Sequence, residues 1–134
     1  MSFTEIEVDY LKTQPLGRLA TVQPDGTLQV SPVGFTYNAD LRTIDIGGYH
    51  MAASRKYRNV VDNAKVAFVV DDIVSTRPWR VRCLEIRGTG EGIDAPDGAI
   101  IRVHPQRIIS FGIGEPDVEP HLLTADIRNV ASSA

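Results

Sequence analysis

Residues 17–37, GRLATVQPDGTLQVSPVGFTY, contain the pattern that decides the fold. Two runs of apolar and β-branched residues flank Pro24-Asp25-Gly26. An Asp-Gly pair between two such runs is a strong signal for a β-hairpin turn. We therefore predict two antiparallel strands, over residues 17–23 and 27–37.

The second of these strands changes its apolar face part-way along. Leu28 and Val30 have one parity, whereas Val33 and Phe35 have the other. A strand of period two can change face only through an irregularity, and Ser31-Pro32 is the place for it. Proline lacks a backbone donor, so we expect the ladder to be interrupted there and nearby backbone groups to be freed. Such a bulge either simply curves a small barrel or also marks a binding edge, and the two readings are compatible.

Outward from the hairpin, the chain is predicted to form further strands and two short helices. A first amphipathic helix is predicted over 4–13, with Ile6, Tyr10 and Leu11 facing inward. The remaining predicted elements are strands at 41–48, 65–72, 79–92 and 100–113, and a second helix at 51–63. Together they predict a mainly β fold of the α+β class, a small and mostly antiparallel barrel of six strands.

Length and composition fit one globular domain. The chain has 134 residues, of which 43% are hydrophobic and 23% charged. We expect a domain over 1–113 and a tail over 114–134 that is loose or docked on a partner subunit. The net charge of −3 argues against nucleic-acid binding, and no apolar run approaches the roughly 18 residues of a membrane span. The N-terminus lacks the features of a secretory signal, so a cytoplasmic protein is expected.

The second predicted helix carries the most informative polar residues. Arg55, Lys56 and Asn59 fall on one face at about 100° per residue, which makes a plausible receptor for a phosphate group. The alternative interpretation of the two cations is an ordinary solvated face. Arg58 and Asp62 lie elsewhere at i,i+4 spacing and are predicted to form a surface salt bridge.

Other residue types do not predict a protein-based reactive centre. The histidines His50, His104 and His121 lack the spacing of a metal site, so none is expected. The single cysteine, Cys83, lies in an apolar strand, where an inert buried thiol is expected rather than a nucleophile. If the chain is an enzyme, an organic cofactor is therefore expected to supply the reactivity.

The ordered motifs resemble the pyridoxamine 5′-phosphate oxidase-like superfamily over about residues 4–113. They are GRLATVQPDGTLQVSPVGF (17–35), IDIGG (44–48), SRKYRNV (54–60), NAKVAFVVDD (63–72) and PWRVRCLEIRGTGE (78–91). The resemblance implies a split β-barrel that binds FMN or the deazaflavin coenzyme F420 and works as a homodimer. Within that superfamily the chain looks most like the actinobacterial subgroup assigned to F420.

The resemblance also implies roles for individual residues. Lys56 matches the lysine that contacts the cofactor phosphate, and Ser54, Arg55, Arg58 and Asn59 surround it in a K-x-x-N arrangement.

Two strand segments match those whose backbone meets the ring system of the cofactor. They are Leu19, Ala20 and Thr21 in the first strand, and Ser31, Pro32, Val33 and Gly34 in the second. In this fold the cofactor lies in a groove between subunits. Trp79 and Arg80 are therefore expected to reach it from the partner chain.

The activity implied is that of an F420-dependent oxidoreductase acting on an unsaturated or electron-poor small organic substrate. Hydride would pass between ring and substrate, so no catalytic residue is expected from the protein. FMN in place of F420 stays open, as does a non-catalytic flavin- or haem-binding protein. The chain is shorter than true pyridoxamine phosphate oxidases and lacks their C-terminal arginine/histidine substrate segment, which argues against that specific activity.

Overall fold

The chain folds around one sheet of eight strands in the computed structural model, which describes residues 2–115 and 117–131. The strands are β1 (Gly17–Val22), β2 (Leu28–Val33), β3 (Thr36–Asn38), β4 (Thr43–Ile46), β5 (Lys65–Thr76), β6 (Trp79–Ile93), β7 (Ile100–Phe111) and β8 (Asp126–Asn129). The helices are α1 (Glu5–Thr13) and α2 (Arg55–Asp62), with 3-10 turns at Met51–Ala53 and Pro120–Leu122. Within the described ranges, no helix is both long enough and apolar enough to cross a membrane.

The strands pair in the order β2-β1-β5-β6-β7-β4-β3, all antiparallel, and β8 also pairs with β7. The sheet is not closed. The predicted mainly β, α+β class is confirmed, but the predicted count of six strands is wrong, because the described residues form eight. The strand predicted over 27–37 divides at Gly34-Phe35 into β2 and β3. The predicted tail contributes β8, which lies on this chain's own β7.

β2 passes through Ser31-Pro32 without the bulge predicted there. Its register on β1 has no shift from end to end. Pro32 is tolerated because β2 is an edge strand, where a missing backbone donor need not break a ladder hydrogen bond. The apolar residues change parity because Leu28 and Val30 lie on the outer face, 73% and 67% exposed, whereas Val33 is buried.

The inner faces of the central strands and one side of α1 form the core. Its largest fully buried apolar side chains include Phe68, Leu84, Ile86, Ile101 and Ile108. α1 contributes Tyr10 and Leu11 as predicted. Ile6, predicted to face inward, is instead 56% exposed, and Glu7 is the residue of this helix that is buried beside them.

Glu7 is held by a set of hydrogen bonds that joins the two ends of the chain. Its carboxylate accepts from the Thr4 backbone N–H at 2.9 Å and from Ser110 Oγ at 2.6 Å. Arg128 on β8 donates to both carboxylate oxygens, and its Nε donates to the Ser2 carbonyl at 3.1 Å. A carboxylate that is only 2% exposed is costly to bury without such partners. The C-terminal strand is therefore fastened by charge as well as by its ladder.

A second polar cluster fastens α1 to β5 and β6. Tyr10 Oη donates to Asp72 at 2.8 Å, and Arg82 donates to both oxygens of the same carboxylate. The Arg82 guanidinium also lies 4.9 Å from the centre of the Tyr10 ring. The hydrogen bonds from Arg82 hold the pKa of Asp72 below its usual range, while burial is the main reason that the pKa of Tyr10 is raised.

Replacing Arg128 by alanine should destabilise the fold strongly, because the buried Glu7 carboxylate then loses its cation. We expect a loss of about 3 kcal/mol in the free energy of unfolding, the lower end for a broken buried pair, since Arg128 is itself 20% exposed. Chemical denaturation measures it. Arg87→Ala is the matched control, because Arg87 is exposed and its pair with Glu85 should contribute much less to stability than a buried pair does. Equal losses in the two variants would contradict the assignment.

Candidate functional site

α2 begins one turn later than predicted. The helix expected over 51–63 is a 3-10 turn at Met51–Ala53 followed by α2, with Ser54 as its N-cap. Ser54 Oγ accepts from the Tyr57 backbone N–H at 3.2 Å and donates to the Met51 carbonyl at 2.6 Å. The cap satisfies one of the backbone N–H groups in the first turn of α2, the end of the helix that carries a partial positive charge.

The apolar side of α2 packs against glycines of β6. A Cβ at Gly90 would lie 3.0 Å from Val60, and one at Gly92 would lie 2.9 Å from Tyr57. Without side chains at these two positions the helix lies directly on the strand. These glycines therefore set how closely the helix approaches the sheet.

Asn59 connects α2 to the edge of the sheet. It is 1% exposed, and its Nδ2 donates to Thr21 Oγ1 at 3.0 Å and to Gln29 Oε1 at 3.2 Å. Thr21 lies on β1 and Gln29 faces it on β2. One side chain thus ties the helix to both strands, and its Oδ1 has no hydrogen-bond partner among the described residues.

The cations of α2 lie on its outward side. Arg55 is exposed and Lys56 half-buried, and neither is in an ion pair with another described residue. Arg58 is exposed and donates to the Ala53 carbonyl at 3.2 Å. The predicted Arg58–Asp62 salt bridge does not form, because the guanidinium reaches back to the 3-10 turn instead.

The strand residues predicted to meet the cofactor divide between two faces of the sheet. The inner face carries Leu19 and Thr21 of β1 and Ser31 and Val33 of β2. Ala20 and Pro32 lie on the outer face, and Gly34 follows β2 in an exposed position.

Thr21 is the predicted strand residue that the structure joins directly to α2, through Asn59. Ser31 lies on the same face as Gln29, two residues along β2, and its Oγ is buried without a partner among the described residues. The predicted residues on α2, β1 and the inner face of β2 therefore converge on one region, which we call the α2–β2 site.

Trp79 and Arg80 lie far from the α2–β2 site in the same chain. They begin β6 at the tip of the β5–β6 hairpin, whereas α2 packs beside Gly90 near the other end of that strand. At about 3.3 Å per residue, roughly 35 Å of strand separates the two places. Any contribution of Trp79 and Arg80 to this site would have to come from another copy of the chain.

Two surface cavities lie elsewhere in the molecule. One of about 310 Å³ is lined by Arg42, His104 and Gln106 among others, and one of about 270 Å³ by Glu7 and Ser110 among others. None of the residues predicted to bind the cofactor lines either cavity.

Cys83 is not suited to nucleophilic chemistry. Burial, with the charges of Asp71 and Glu85 nearby, raises the pKa of its thiol to about 11. The thiolate is the reactive form of cysteine, so this side chain is inert at neutral pH.

The amino-acid sequence matches a known protein family. Residues 3–110 match the model of the family described as pyridoxamine 5′-phosphate oxidase. The chain belongs to this family. The match runs from the segment before α1 to the end of β7 and so includes the whole α2–β2 site.

Members and structural neighbours of the family extend the comparison. A 5a,11a-dehydrotetracycline/5a,11a-dehydrooxytetracycline reductase from Streptomyces rimosus is 41% identical over 137 residues, which cover 95% of this chain and 94% of the relative. The solved structure of an F420 reductase is 30% identical, covers 72% of this chain and 91% of its own, and has a TM-score of 0.58. A conserved hypothetical protein from Mycobacterium tuberculosis is 18% identical, covers 88% of this chain and 92% of its own, and shares the fold at a TM-score of 0.71.

Gln29 is the site residue that the sequence analysis missed. It is a polar residue on the inner parity of an edge strand whose outer parity carries Leu28 and Val30. The change of parity of the apolar residues, taken alone, predicts a bulge. A polar residue directed inward, between two apolar residues directed outward, was the available signal for a polar site beneath that strand.

Gly34→Val should leave stability nearly unchanged and lower cofactor affinity and turnover if the ring of a cofactor lies over the end of β2. A Cβ at Gly34 meets nothing within 4 Å, so a valine side chain fits the free protein. The melting temperature and the cofactor affinity are measured on the same variant. A large loss of stability, or unchanged affinity and turnover, would contradict a ring contact at this position.

Proposed function

We propose that this chain is an oxidoreductase that uses reduced coenzyme F420 to reduce an unsaturated or otherwise electron-poor small organic substrate. The observation that carries the proposal is the 41% identity, over 95% of the chain, to a protein named as a reductase. The 30% identity to an F420 reductase supports the choice of coenzyme. A reduced deazaflavin, when bound, supplies a hydride to its acceptor.

The α2–β2 site fits a phosphorylated cofactor of this kind. Lys56 and Arg55 have no acidic partner among the described residues, so their charge is available to an anion. The capped start of α2 adds backbone donors with positive dipole character. The chain's own task is then to hold the phosphate and the ring and to orient the substrate above the ring.

FMN is the second candidate cofactor, because a phosphate-binding helix does not distinguish between flavin and deazaflavin. F420 differs in carrying an anionic oligoglutamate tail beyond the phosphate. Arg55 and Arg58 are exposed on the outward side of α2 and would lie along such a tail. These exposed cations favour F420 over FMN.

The substrate is proposed by analogy with the Streptomyces rimosus relative. The name of that protein states a reduction of dehydrotetracyclines, which are unsaturated polycyclic compounds. We propose that this chain likewise reduces a carbon–carbon double bond conjugated to a carbonyl group. We further propose that the protein is cytoplasmic and acts on a small molecule, without a nucleic-acid or membrane partner. The net charge of −3 argues against nucleic-acid binding.

We also propose that the working form is a homodimer. Leu28 and Val30 on the outer face of β2 are 73% and 67% exposed, and an edge strand with such a face needs a cover. The hairpin of β5 and β6 extends past β1, which pairs with β5 only as far as Val69. Its tip carries three exposed large apolar side chains, namely Ile73, Val74 and Trp79. A projecting two-stranded ribbon of this kind is stabilised by packing on a second copy.

The experiment that tests the activity is a cofactor titration followed by a turnover assay. F420, FMN and haem are titrated separately against the purified protein. Reduced F420 and reduced FMN are then each supplied with a dehydrotetracycline and with a simpler enone. Oxidation of reduced F420 that depends on both protein and acceptor supports the proposal, whereas turnover with FMN alone supports the second candidate. Binding of haem without turnover of either reduced cofactor would contradict an oxidoreductase.

Lys56→Ala should weaken binding of F420 or FMN by about 1–3 kcal/mol, because one charge-assisted contact to phosphate is lost. Arg58→Ala should cost less, since Arg58 is engaged with the Ala53 carbonyl. Lys12→Ala removes the same charge from an exposed position on α1 and is the matched control. Titration of each variant measures the affinities. If Lys56→Ala binds like the control, Lys56 does not hold the phosphate.

The double substitution Leu28→Lys with Val30→Lys should convert a dimer into a monomer and weaken cofactor binding. Both side chains are exposed on a single chain, so the monomer should keep its melting temperature to within a few degrees. Sedimentation velocity at micromolar concentration measures the oligomeric state. Ile6→Lys, at an exposed position on α1, is the control. A wild-type protein that sediments as a monomer with cofactor bound would rule out the dimer.

A further inference from the structure

The cavity of about 310 Å³ lies on the face of the sheet opposite to α2. Gly90 of β6 faces α2, since a Cβ there would lie 3.0 Å from Val60. Thr89, the residue before it, lines the cavity, and successive residues of a strand face opposite sides of the sheet. The turn between β3 and β4, strand β7 and the segment after β8 contribute most of the remaining lining. We call it the Arg42 cavity.

A bulge in β7 forms one side of the Arg42 cavity. The pairing of β6 with β7 shifts after Arg87, and Gln106 is left as an extra residue on β7. Its carbonyl accepts from the Val130 N–H at 2.7 Å, which brings the segment after β8 against the bulge. Gly88 makes this close pairing possible, because a Cβ there would clash with the His104 carbonyl oxygen. Gln106 lines the cavity, and bulges often lie beside functional sites, where they redirect a side chain.

The turn between β3 and β4 holds Arg42 in a conformation that arginine rarely adopts. Its φ is 58°, in the left-handed region that favours glycine and asparagine. The Arg42 N–H donates to the Asn38 carbonyl at 2.7 Å, which closes the turn. A glycine would form the same turn without strain, and residues kept in strained conformations cluster at functional sites. The strain at Arg42 therefore indicates a use for its side chain.

The carboxylates near the Arg42 cavity are already paired with other side chains. Asp45 accepts from Arg102 Nε at 2.9 Å and from Arg102 Nη2 at 3.1 Å. The Glu91 carboxylate lies 2.9 Å from His104 Nε2. Arg42 is in no ion pair with another described residue, and within the described ranges neither Asp nor Glu lines the cavity. The lining therefore carries an excess of positive charge.

The other lining residues add polar groups and apolar surface. Because the ionised Glu91 carboxylate can only accept, His104 Nε2 carries the hydrogen between them, and its Nδ1 has no partner among the described residues. The side-chain amide of Gln106, which makes no hydrogen bond within the described part of the chain, offers two further hydrogens. Leu41 and Val130 contribute apolar surface to the same cavity. The lining therefore suits a ligand with one charged end and a small apolar body.

From this charge and this lining we propose that the Arg42 cavity binds a small organic anion. The carboxylate or phosphate group of the ligand pairs with the Arg42 guanidinium, which fits either group with two parallel hydrogen bonds. Gln106 donates to the same group, and the apolar body of the ligand contacts Leu41 and Val130. A volume of about 310 Å³ is at the lower end for small-molecule pockets, so this ligand is smaller than the cofactor proposed for the α2–β2 site. The two sites share no residue, and the inference does not rest on the proposed function.

The test measures anion binding to the full-length protein by calorimetric titration. The probes are benzoate and phenyl phosphate, which have an apolar ring, and acetate and inorganic phosphate, which do not. Benzamide has the shape of benzoate without its charge and is the neutral control. All titrations are made at one ionic strength, because salt screens exposed charges.

Arg42→Gly is the central variant, because it removes the guanidinium together with the strain of the left-handed turn, so the variant should stay folded. We expect the wild-type protein to bind benzoate or phenyl phosphate at millimolar concentration, and Arg42→Gly to bind it about tenfold more weakly or worse. Gln106→Ala should weaken binding roughly threefold. Arg87→Ala removes the same charge at another exposed position and should bind like wild type. The affinity of Arg42→Gly for F420 and FMN should be unchanged.

The order of the affinities identifies the charged group of the ligand. Tighter binding of benzoate indicates a carboxylate, tighter binding of phenyl phosphate indicates a phosphate ester, and either result supports the proposal. The proposal is overturned if acetate or inorganic phosphate binds as tightly as its phenyl counterpart, because the cavity then takes a bare ion. It is equally overturned if benzamide binds like benzoate, if a folded Arg42→Gly protein binds every anion like wild type, or if the wild-type protein binds none of the four anions.

Discussion

The position of α2 on the sheet depends on one buried amide. α2 offers few apolar side chains to the core, chiefly Val60 and Tyr57, which lie against glycines of β6. The two hydrogen bonds from Asn59 to Thr21 and Gln29 add a directional contact, because they join the helix to β1 and β2 at one register. The direction of Lys56, and the distance from Lys56 to the inner face of β2, follow from this anchor. A site that must hold a ligand in a fixed geometry needs such an anchor.

β2 has an apolar, exposed outer face and a partly polar inner face. Its outer parity is apolar and uncovered, at Leu28 and Val30, while its inner parity carries the polar Gln29 and Ser31. In an ordinary half-buried strand the order is reversed, with apolar residues inward. The reversal removes apolar burial from the edge of the core. It is tolerated where a polar ligand covers the inner face and an apolar partner covers the outer one, which is the arrangement that we propose.

How far the sequence alone predicts this fold depends on the range of the interactions. The hairpin at residues 17–37, α1 and the central strands rest on local periodicity and turn chemistry. The places of these elements agree with the structure, although the second strand of the hairpin ends at Val33. β8 could not be predicted, because Asp126–Asn129 is a short polar segment held by its ladder to β7 and by the pairing of Arg128 with a helix 121 residues away in sequence. Glu7 shows the same limit. Periodicity predicts an inward position for Ile6, but the carboxylate of Glu7 is buried instead, because the distant Arg128 pairs with it and the distant Ser110 donates a hydrogen bond to it.

The sequence predicts which residues form the candidate site, but not which hydrogen bonds they make. The spacing of Arg55, Lys56 and Asn59 indicates a polar cluster on one face of a helix. All three lie on α2, but Asn59 is buried against the sheet whereas Arg55 is exposed. A sequence pattern counts an asparagine as a donor and an acceptor alike. Only the contacts with Thr21 and Gln29 show that both hydrogens of the Asn59 amide are engaged and that its oxygen has no partner among the described residues.

That distinction separates the site into a charged part on the outward side of α2 and a neutral part beneath it. Because both FMN and F420 contain a phosphate, a contact between Lys56 and that phosphate would not distinguish the two cofactors. Discrimination has to arise beyond the phosphate, where Arg55 and Arg58 face solvent, or at the ring, where a second copy of the chain would complete the groove in the proposed homodimer.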